Sequence, residues 1–207
     1  DLENWTTTDS GIQAQLPIQN LIARDQEYLL QITLETEQHG SVYYYTRILW
    51  TDSARAQAMV DLAVNFSEKT FDPAQARELA SYLETNTSQD ENSYHRTTIH
   101  SSFSRLTWGK LGMQPSGEFQ VALRELDGAM SSVQVKYPAV RQDEETGESE
   151  IYEVEENFTM KWNELRIYLM DYERDVNQIF SGKDADYSGK RILLGITDES
   201  RVEARKS

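Results

Sequence analysis

The chain contains no cysteine among its 207 residues. This absence excludes thiolate catalysis, disulfides, zinc-thiolate sites and iron-sulfur clusters. Histidine is also scarce, with three residues, and no apolar run approaches the roughly 20 residues that a membrane-spanning helix needs. The sequence holds no Gly-rich phosphate loop, no Gly-x-Ser-x-Gly elbow and no His-Glu-x-x-His motif. We therefore predict no catalytic residue, no cofactor and no metal ion.

Positive charge is in short supply. The chain has 20 Lys and Arg against 35 Asp and Glu, a formal net charge of −15. A surface of this kind repels phosphate backbones and anionic lipid headgroups, so nucleic-acid binding is disfavoured. The hydrophobic content of 38% is that of an ordinary globular protein. We predict a single α+β domain over residues 1–207, with an extended lead-in over residues 1–25.

Two β-rich runs after the lead-in predict a hairpin around a polar turn at residues 38–40. In the second run Tyr43, Tyr45 and Arg47 share one face, because successive side chains of a strand point to opposite sides. Most aromatic residues at such positions belong to a core. Exposed aromatics beside an Arg, however, are enriched in protein interfaces. We predict that Tyr43, Tyr45 and Arg47 form a partner-binding surface.

Two helices are predicted after the hairpin. The first begins after Thr51 or Asp52, and the second has Asp72 as its N-cap and Pro73 in its first turn. Apolar residues recur in both with the spacing of one helix face. These residues are Met59, Leu62, Ala63 and Phe66 in the first helix and Ala76, Leu79, Ala80 and Leu83 in the second.

From Tyr94 to about Tyr172 the pattern predicts about five long antiparallel strands, with Asp127-Gly128 as a hairpin turn. Pro138 predicts an edge position or a bulge, because proline has no N–H for a central ladder. The whole order predicts an antiparallel sheet of about six to seven strands with two helices packed on one face. Residues 196–207 are predicted to fray. One buried strand face is predicted to consist of Tyr152, Val154, Phe158, Met160 and Trp162.

The acidic and histidine-containing segments give only weak indications of metal binding or catalysis. Residues 143–156 hold eight carboxylates, and we interpret them as a solvated hairpin that resists edge pairing. His95 and His100 lie five residues apart in a predicted strand, where an odd separation places them on opposite faces. A shared metal is therefore disfavoured. Either histidine is a candidate general base beside a carboxylate, because imidazole side chains suit that task, and the alternative is a surface or hydrogen-bonded structural role.

The stretch GKDADYSGKRILLG, residues 182–195, begins like a calcium-binding loop. Asp184 and Asp186 occupy the first and third ligand positions, but Gly195 stands at the twelfth, where a bidentate Glu closes such a site. We interpret the stretch as a polar turn before a short strand.

The segment ARAQAMVDLAVNFSEKTFDPAQARELASYLETN combines a small-residue helix, a shorter helix and then long antiparallel strands. This order over residues 52–172 resembles the nuclear transport factor 2-like (cystatin-like) superfamily, nearest to the extracytoplasmic domains of Gram-positive conjugative-transfer channel proteins. The preceding hairpin departs from the helix-first order of that superfamily. The resemblance implies either an enzyme with acidic or His residues in a conical pocket or a non-catalytic assembly module, so fold alone does not choose between them.

We expect a non-catalytic interaction or assembly domain of an exported or membrane-anchored bacterial protein, with a protein partner and no nucleic acid. A start without Met fits a removed leader, an anchor upstream of Asp1 or an excerpt of a longer chain. A homo-oligomer is compatible with an interaction or assembly domain. One alternative is a small-ligand-binding domain, or a lyase or isomerase, with a pocket between helices and sheet. Another is an extracytoplasmic regulatory domain acting on a sensor kinase. A filled core with an exposed aromatic patch favours assembly, whereas an apolar pocket with a buried carboxylate or His favours the pocket alternative.

Overall fold

The computed structural model describes residues 5–8, 11–15, 17–18, 23–86, 94–142, 147 and 149–179. The chain divides into two compact units, residues 1–52 and residues 53–207. The prediction of one domain over residues 1–207 stays a prediction. Within the described ranges no helix is long and apolar enough to cross a membrane. The stretch 182–195 and the tail 196–207 lie outside the described residues.

The first unit contains two separate antiparallel hairpins. Strands β1 (Trp5–Thr8) and β2 (Gly11–Ala14) pair with each other, so the predicted lead-in is a short hairpin in part. Strands β3 (Glu27–Thr36) and β4 (Gly40–Leu49) form the predicted longer hairpin. Their register is continuous over all ten residues of each strand. Gly40 closes the turn with a φ of 64°, which favours glycine.

The second unit is an antiparallel sheet with helices. Its strands run in the order β5-β10-β9-β8-β6, and β7 pairs with β8 beside β6. Six antiparallel strands with helical segments confirm the predicted α+β class. The elements of this unit are α1 (Ser53–Lys69), a 3-10 helix (Gln75–Tyr82), β5 (Arg96–Thr98), α2 (Phe103–Leu106), β6 (Gln114–Pro115), β7 (Gln120–Asp127), β8 (Met130–Gln142), β9 (Ser149–Trp162) and β10 (Ile167–Ile179).

The core of the second unit lies between α1 and the sheet. Helix α1 contacts β7, β8 and β9, and its predicted stripe buries Met59, Ala63 and Phe66. The Phe66 ring packs edge-on against Phe158 of β9, with ring centroids 5.4 Å apart. The facing side of the sheet includes most of the predicted buried face of β9. Its fully or nearly fully buried members are Tyr152, Val154, Phe158 and Met160.

The second predicted helix is a 3-10 helix rather than an α-helix. Asp72 is the predicted capping residue, and its Oδ1 accepts hydrogen bonds from the N–H groups of Ala74 at 2.8 Å and Gln75 at 3.3 Å. These bonds, and the one from the Gln75 side chain, lower the pKa of Asp72. The tighter helix buries Ala76 and Leu79 and leaves the predicted core residue Ala80 exposed.

The first of the predicted long strands, which starts at Tyr94, is not a long strand in the structure. β5 has only three residues, and the chain then turns into α2. Local serine bonds explain the difference, since Ser101 Oγ accepts from the Thr98 N–H at 3.0 Å and Ser102 Oγ accepts from the Arg105 N–H at 3.4 Å. Such bonds offer the backbone an alternative to a sheet ladder.

Pro138 lies neither on an outermost strand nor at a bulge. Strand β8 pairs with β9 without a register shift through Pro138 and Glu153. On the other side of β8, pairing with β7 ends at Lys136 and pairing with β6 begins at Ala139. Proline therefore occupies the gap between two neighbours, where its missing N–H costs no ladder bond on that side.

A left-handed turn after α2 yields a test of the packing in the second unit. Gly109 has a φ of 55°, and an added Cβ would lie 2.1 Å from the hydroxyl of the buried Tyr94. We expect Gly109→Ala to lower the free energy of unfolding by about 2–4 kcal/mol, from left-handed strain and overpacking. Gly112→Ala is the matched control, because Gly112 has a φ of 64° and no atom within 4 Å of its added Cβ. Equal losses in urea unfolding would contradict the steric part of this expectation.

Candidate functional site

The β3–β4 hairpin exposes large apolar side chains on both faces. On the face that we call the apolar face, Ile32, Leu34 and Tyr44 are 39%, 46% and 53% exposed. Thr46 of this face, and the pair Thr36 and Gly40 next to the turn, have no large apolar side chain. The remaining positions make it a continuous apolar ribbon two strands wide. Its apolar members are Tyr28, Leu30, Ile32, Leu34, Val42, Tyr44 and Ile48.

The opposite face carries the predicted partner-binding residues Tyr43, Tyr45 and Arg47. Both tyrosines are more than half exposed. The Arg47 guanidinium donates to both carboxylate oxygens of Glu27 at 3.2 and 3.3 Å, and both of these side chains are also exposed. The three predicted residues therefore lie together on one accessible surface. Their role in binding a partner stays a prediction.

The central part of each outer edge of this hairpin lacks the usual barriers to further pairing. β3 and β4 form a two-stranded sheet by themselves among the described residues. From Tyr28 to Leu34 and from Ser41 to Thr46 there is no charged residue and no proline, and the register contains no bulge. Natural edge strands are commonly protected by charges, prolines or bulges. The hairpin therefore presents backbone groups that another strand could bind.

The second unit contains a buried polar cluster of a different kind. Glu156 of β9 and Arg174 of β10 are direct cross-strand partners, and both are fully buried. The buried hydroxyl of Tyr172 donates to Glu156 Oε1 at 2.6 Å, and Arg174 Nη1 lies 3.9 Å from the same oxygen. Among the described residues, Glu156 Oε2 and the hydroxyl of the neighbouring Tyr137 make no hydrogen bond of standard geometry, although the two groups interact electrostatically. This group of four residues is called the Glu156 cluster below.

Arg174 connects the cluster to the turn around α2. Its Nη1 donates to the Leu106 carbonyl at 3.0 Å, and its Nη2 donates to the Arg105 carbonyl at 2.9 Å. The guanidinium also lies 3.6 Å from the centre of the Trp108 ring, a cation–π distance. Trp108 itself has a φ of 63°, and its Nε1 donates to Thr70 Oγ1 at 3.2 Å. Arg174 thus holds a short helix and a left-handed residue against the sheet.

Burial governs the protonation of the cluster. Burial raises the pKa of Glu156, and the positive charge of Arg174 acts in the opposite direction. Burial also raises the pKa values of Tyr137 and Tyr172 well above the ordinary range, and the Glu156 charge adds to the effect. Both phenols are therefore neutral at physiological pH.

A carboxyl group with a raised pKa is one property of a general acid or base. Glu156, Tyr172 and Arg174, however, each have 0% exposed surface, so no substrate can touch them in this conformation. A cleft of about 220 Å³ is lined by residues of β7 to β10 and by no helical residue. Among the described residues no group of three or more His, Asp or Glu side chains could hold a metal ion. The described contacts of the cluster join β9, β10 and the end of α2.

Sequence reasoning placed Glu156 in a solvated acidic segment, and this placement is wrong. The residue has the same parity as Tyr152, Val154, Phe158 and Met160, which the strand pattern correctly assigned to the buried face. That period of two was the available signal. The other residues of the acidic run differ, since Glu153 is exposed and Glu155 forms an ion pair with Lys136 at 2.6 Å.

The two described histidines of this unit bind backbone carbonyl groups. His95 Nδ1 lies 2.9 Å from the Val176 oxygen, and His100 Nδ1 lies 3.0 Å from the Glu84 oxygen. Neither histidine lies within a strand, contrary to the prediction. These contacts agree with the structural alternative.

Comparison with protein-family models, with curated proteins and with solved structures found no match to this chain. The resemblance to the nuclear transport factor 2-like superfamily therefore stays a prediction.

Proposed function

We propose that this protein is a non-catalytic interaction or assembly domain and that the β3–β4 hairpin is its docking surface. The observation that carries this proposal is the exposure of large apolar and aromatic side chains on both faces of a hairpin that pairs with no other strand in the part of the chain that the structure describes. Contiguous exposed apolar surface of this kind marks interaction sites in soluble proteins. Tyr43, Tyr45 and Arg47 supply the residue types that interfaces favour.

The energetics of the hairpin support the same proposal. A two-stranded hairpin is at best marginally stable in water, and it gains stability when further strands or a helix cover its apolar face. A partner that buries this surface therefore binds and stabilises the hairpin in one step. An edge that is paired in the assembled state needs no protective charges, which accounts for the uncharged central segment of each hairpin edge.

The pocket alternative has less support, because the Glu156 carboxylate has no exposed surface and is not among the residues that line the described cleft. The sensor-kinase alternative would use the same hairpin with a different partner. We propose an exported or membrane-anchored bacterial setting, for which the complete lack of cysteine is the supporting feature. The identity of a cross-linked partner would show whether the protein is located at or outside a bacterial membrane.

The double substitution Tyr43→Ala/Tyr45→Ala separates binding from stability. Both side chains are more than half exposed, so we expect the free energy of unfolding to change by less than about 0.5 kcal/mol. Complex formation, in contrast, should weaken. Thermal unfolding of the isolated chain at a concentration where it is monomeric measures the first effect, and a marked drop in Tm under that condition would place the tyrosines in a core and contradict the proposal.

Photo-cross-linking in the native host tests the docking role itself. A benzophenone amino acid replaces Tyr45 in one variant and Leu165, which is 92% exposed in the second unit, in the control. We expect a discrete protein adduct from position 45 and none of the same mass from position 165. Identical adducts from both positions, or none from position 45, would overturn the proposed function.

A further inference from the structure

We propose that the β4 edge pairs with the β4 edge of a second copy of this chain, forming a four-stranded antiparallel sheet centred on Tyr44. This inference rests on the proposed function and names the partner. It follows from the residue order of β4, from the distribution of charge along the two edges and from the continuity of the apolar face.

The central segment of β4 reads the same in both directions in terms of residue shape. Val42 and Thr46 are β-branched, and Tyr43, Tyr44 and Tyr45 lie between them. A two-fold interface requires self-complementarity, because each residue meets its counterpart from the other copy. With the two-fold axis at Tyr44, antiparallel pairing sets Tyr44 opposite Tyr44, Tyr43 opposite Tyr45 and Val42 opposite Thr46. Aromatic and β-branched cross-strand pairs of this kind stabilise sheets.

The charges favour the β4 edge over the β3 edge. In the proposed register the first charged residue from the centre is Arg47, which stands opposite the uncharged Ser41 of the second copy. In β3, the fully overlapped antiparallel register centred on Gln31 sets Glu27 opposite Glu35 at both ends, and like charges directly opposite each other are destabilising. The net charge of −15 opposes self-association in general. Screening over about 8 Å at physiological ionic strength limits that repulsion to charges close to the interface.

The proposed pairing also joins the apolar faces of the two hairpins. Tyr44 lies on the apolar face with its cross-strand neighbour Ile32. Residues opposite each other in an antiparallel pair point to the same side, so pairing at Tyr44 places both apolar faces on one side of the new sheet. Four strands with a shared apolar face meet the condition for independent stability that two strands do not.

The lack of native cysteine makes a single-cysteine scan the decisive experiment. Directly opposed residues have Cα atoms about 4.5–5.5 Å apart, which lies within the range of about 4.4–6.8 Å that a disulfide spans. We expect Tyr44→Cys to form a disulfide-linked dimer under mild oxidation. Tyr43→Cys and Tyr45→Cys should each remain unlinked when alone and should cross-link with each other when mixed.

Mass measurements without cross-linking supply the second arm. Light scattering and sedimentation equilibrium should give twice the 23.9 kDa of one chain at high concentration, with a reversible shift to the single mass on dilution. Tyr44→Lys should abolish the double mass, because two cations would meet at the two-fold axis. Ile32→Lys is the matched control on the same face of β3 and should retain the dimer. Hydrogen exchange of β4 amides establishes that the hairpin is intact in both variants.

The outcomes separate this inference from the proposed function. A single mass at all concentrations with no cross-link at Tyr44, or cross-linking at Tyr45 alone, overturns the proposed pairing. Loss of the dimer in Ile32→Lys but not in Tyr44→Lys overturns it too. If position 45 still gives an adduct with another protein in the host, the interaction role stands and only the self-pairing fails. Absence of both results removes both proposals.

Discussion

We expect Arg174→Met to lower the free energy of unfolding by about 3–5 kcal/mol at neutral pH, the usual cost of removing one partner of a buried ion pair. Arg174 and Glu156 both have 0% exposed surface, and they face each other across β9 and β10. Without the guanidinium, the Glu156 carboxyl group loses its nearest opposite charge and must either ionise in an apolar setting or take up a proton.

The substitution also removes two hydrogen bonds from Arg174 to carbonyl groups at the end of α2. The Arg105 carbonyl keeps a bond from the Trp108 N–H at 3.3 Å, whereas the Leu106 carbonyl loses its donor, and a buried carbonyl left without a donor costs about 1–3 kcal/mol. Methionine keeps much of the length and the apolar contact with Trp108, so the loss reports charge and hydrogen bonding more than a cavity. Urea unfolding monitored by tryptophan fluorescence is the appropriate measurement.

An exposed arginine on the same sheet provides the control. Arg96 of β5 forms an ion pair with Glu173, and its side chain is 58% exposed. Because exposed ion pairs contribute about 0–1 kcal/mol, Arg96→Met should change stability little. A similar loss of unfolding free energy in both variants would show that the buried cluster contributes no more to stability than an exposed ion pair.

The double variant Arg174→Met/Glu156→Leu tests whether the two residues act together. Replacing both members of a buried pair with apolar side chains is often neutral or stabilising. We therefore expect the double variant to recover part of the loss, with a coupling energy of about 1–3 kcal/mol. Strict additivity would contradict a direct interaction between Glu156 and Arg174.

The cluster also connects several elements of the second unit. Its side chains join β8, β9 and β10 to α2 in a region without solvent access. Buried polar groups that are hydrogen-bonded, as Arg174 is to the carbonyl groups of Arg105 and Leu106, hold the elements that they connect in one arrangement.

The sequence predicted the elements whose patterns are local and regular. The stripe of α1 and the period-two face of β9 identified buried residues such as Met59, Ala63 and Phe158 correctly. The hairpin of β3 and β4 and the turn at Asp127-Gly128 also agree with the structure. Each of these depends on propensity and periodicity within one segment.

The failures have identifiable physical causes. Serine side chains ended β5 early through local hydrogen bonds, and this competition is invisible to a strand pattern. The Glu156–Arg174 pair depends on the register between two strands, which a pattern within either strand alone does not give. A charge in a strand pattern is assigned to solvent unless its partner is known, so the pair escaped detection.

We also expect the stability difference between the wild type and Glu156→Gln to depend on pH. Burial raises the pKa of Glu156 above its ordinary value of 4.5 in the folded protein. The folded state therefore binds this proton more tightly than the unfolded state does. The contribution of Glu156 is fully present below pH 4.5 and is lost as the pH rises through the folded-state pKa.

Between those two pKa values the wild type should lose stability relative to Glu156→Gln by up to about 1.4 kcal/mol per pH unit. The quantity to compare is the difference in the free energy of unfolding between the two proteins, because other carboxyl groups also change stability with pH. Burial raises the pKa of Asp175, and hydrogen bonds lower the pKa values of Asp72 and Glu155, in both proteins alike. Urea unfolding of the two proteins from pH 4 to pH 9 gives the curve. A wild type that gains on the variant with rising pH would show that the attraction of Arg174 outweighs burial, and that Glu156 is an ordinary ion-pair carboxylate with a lowered pKa.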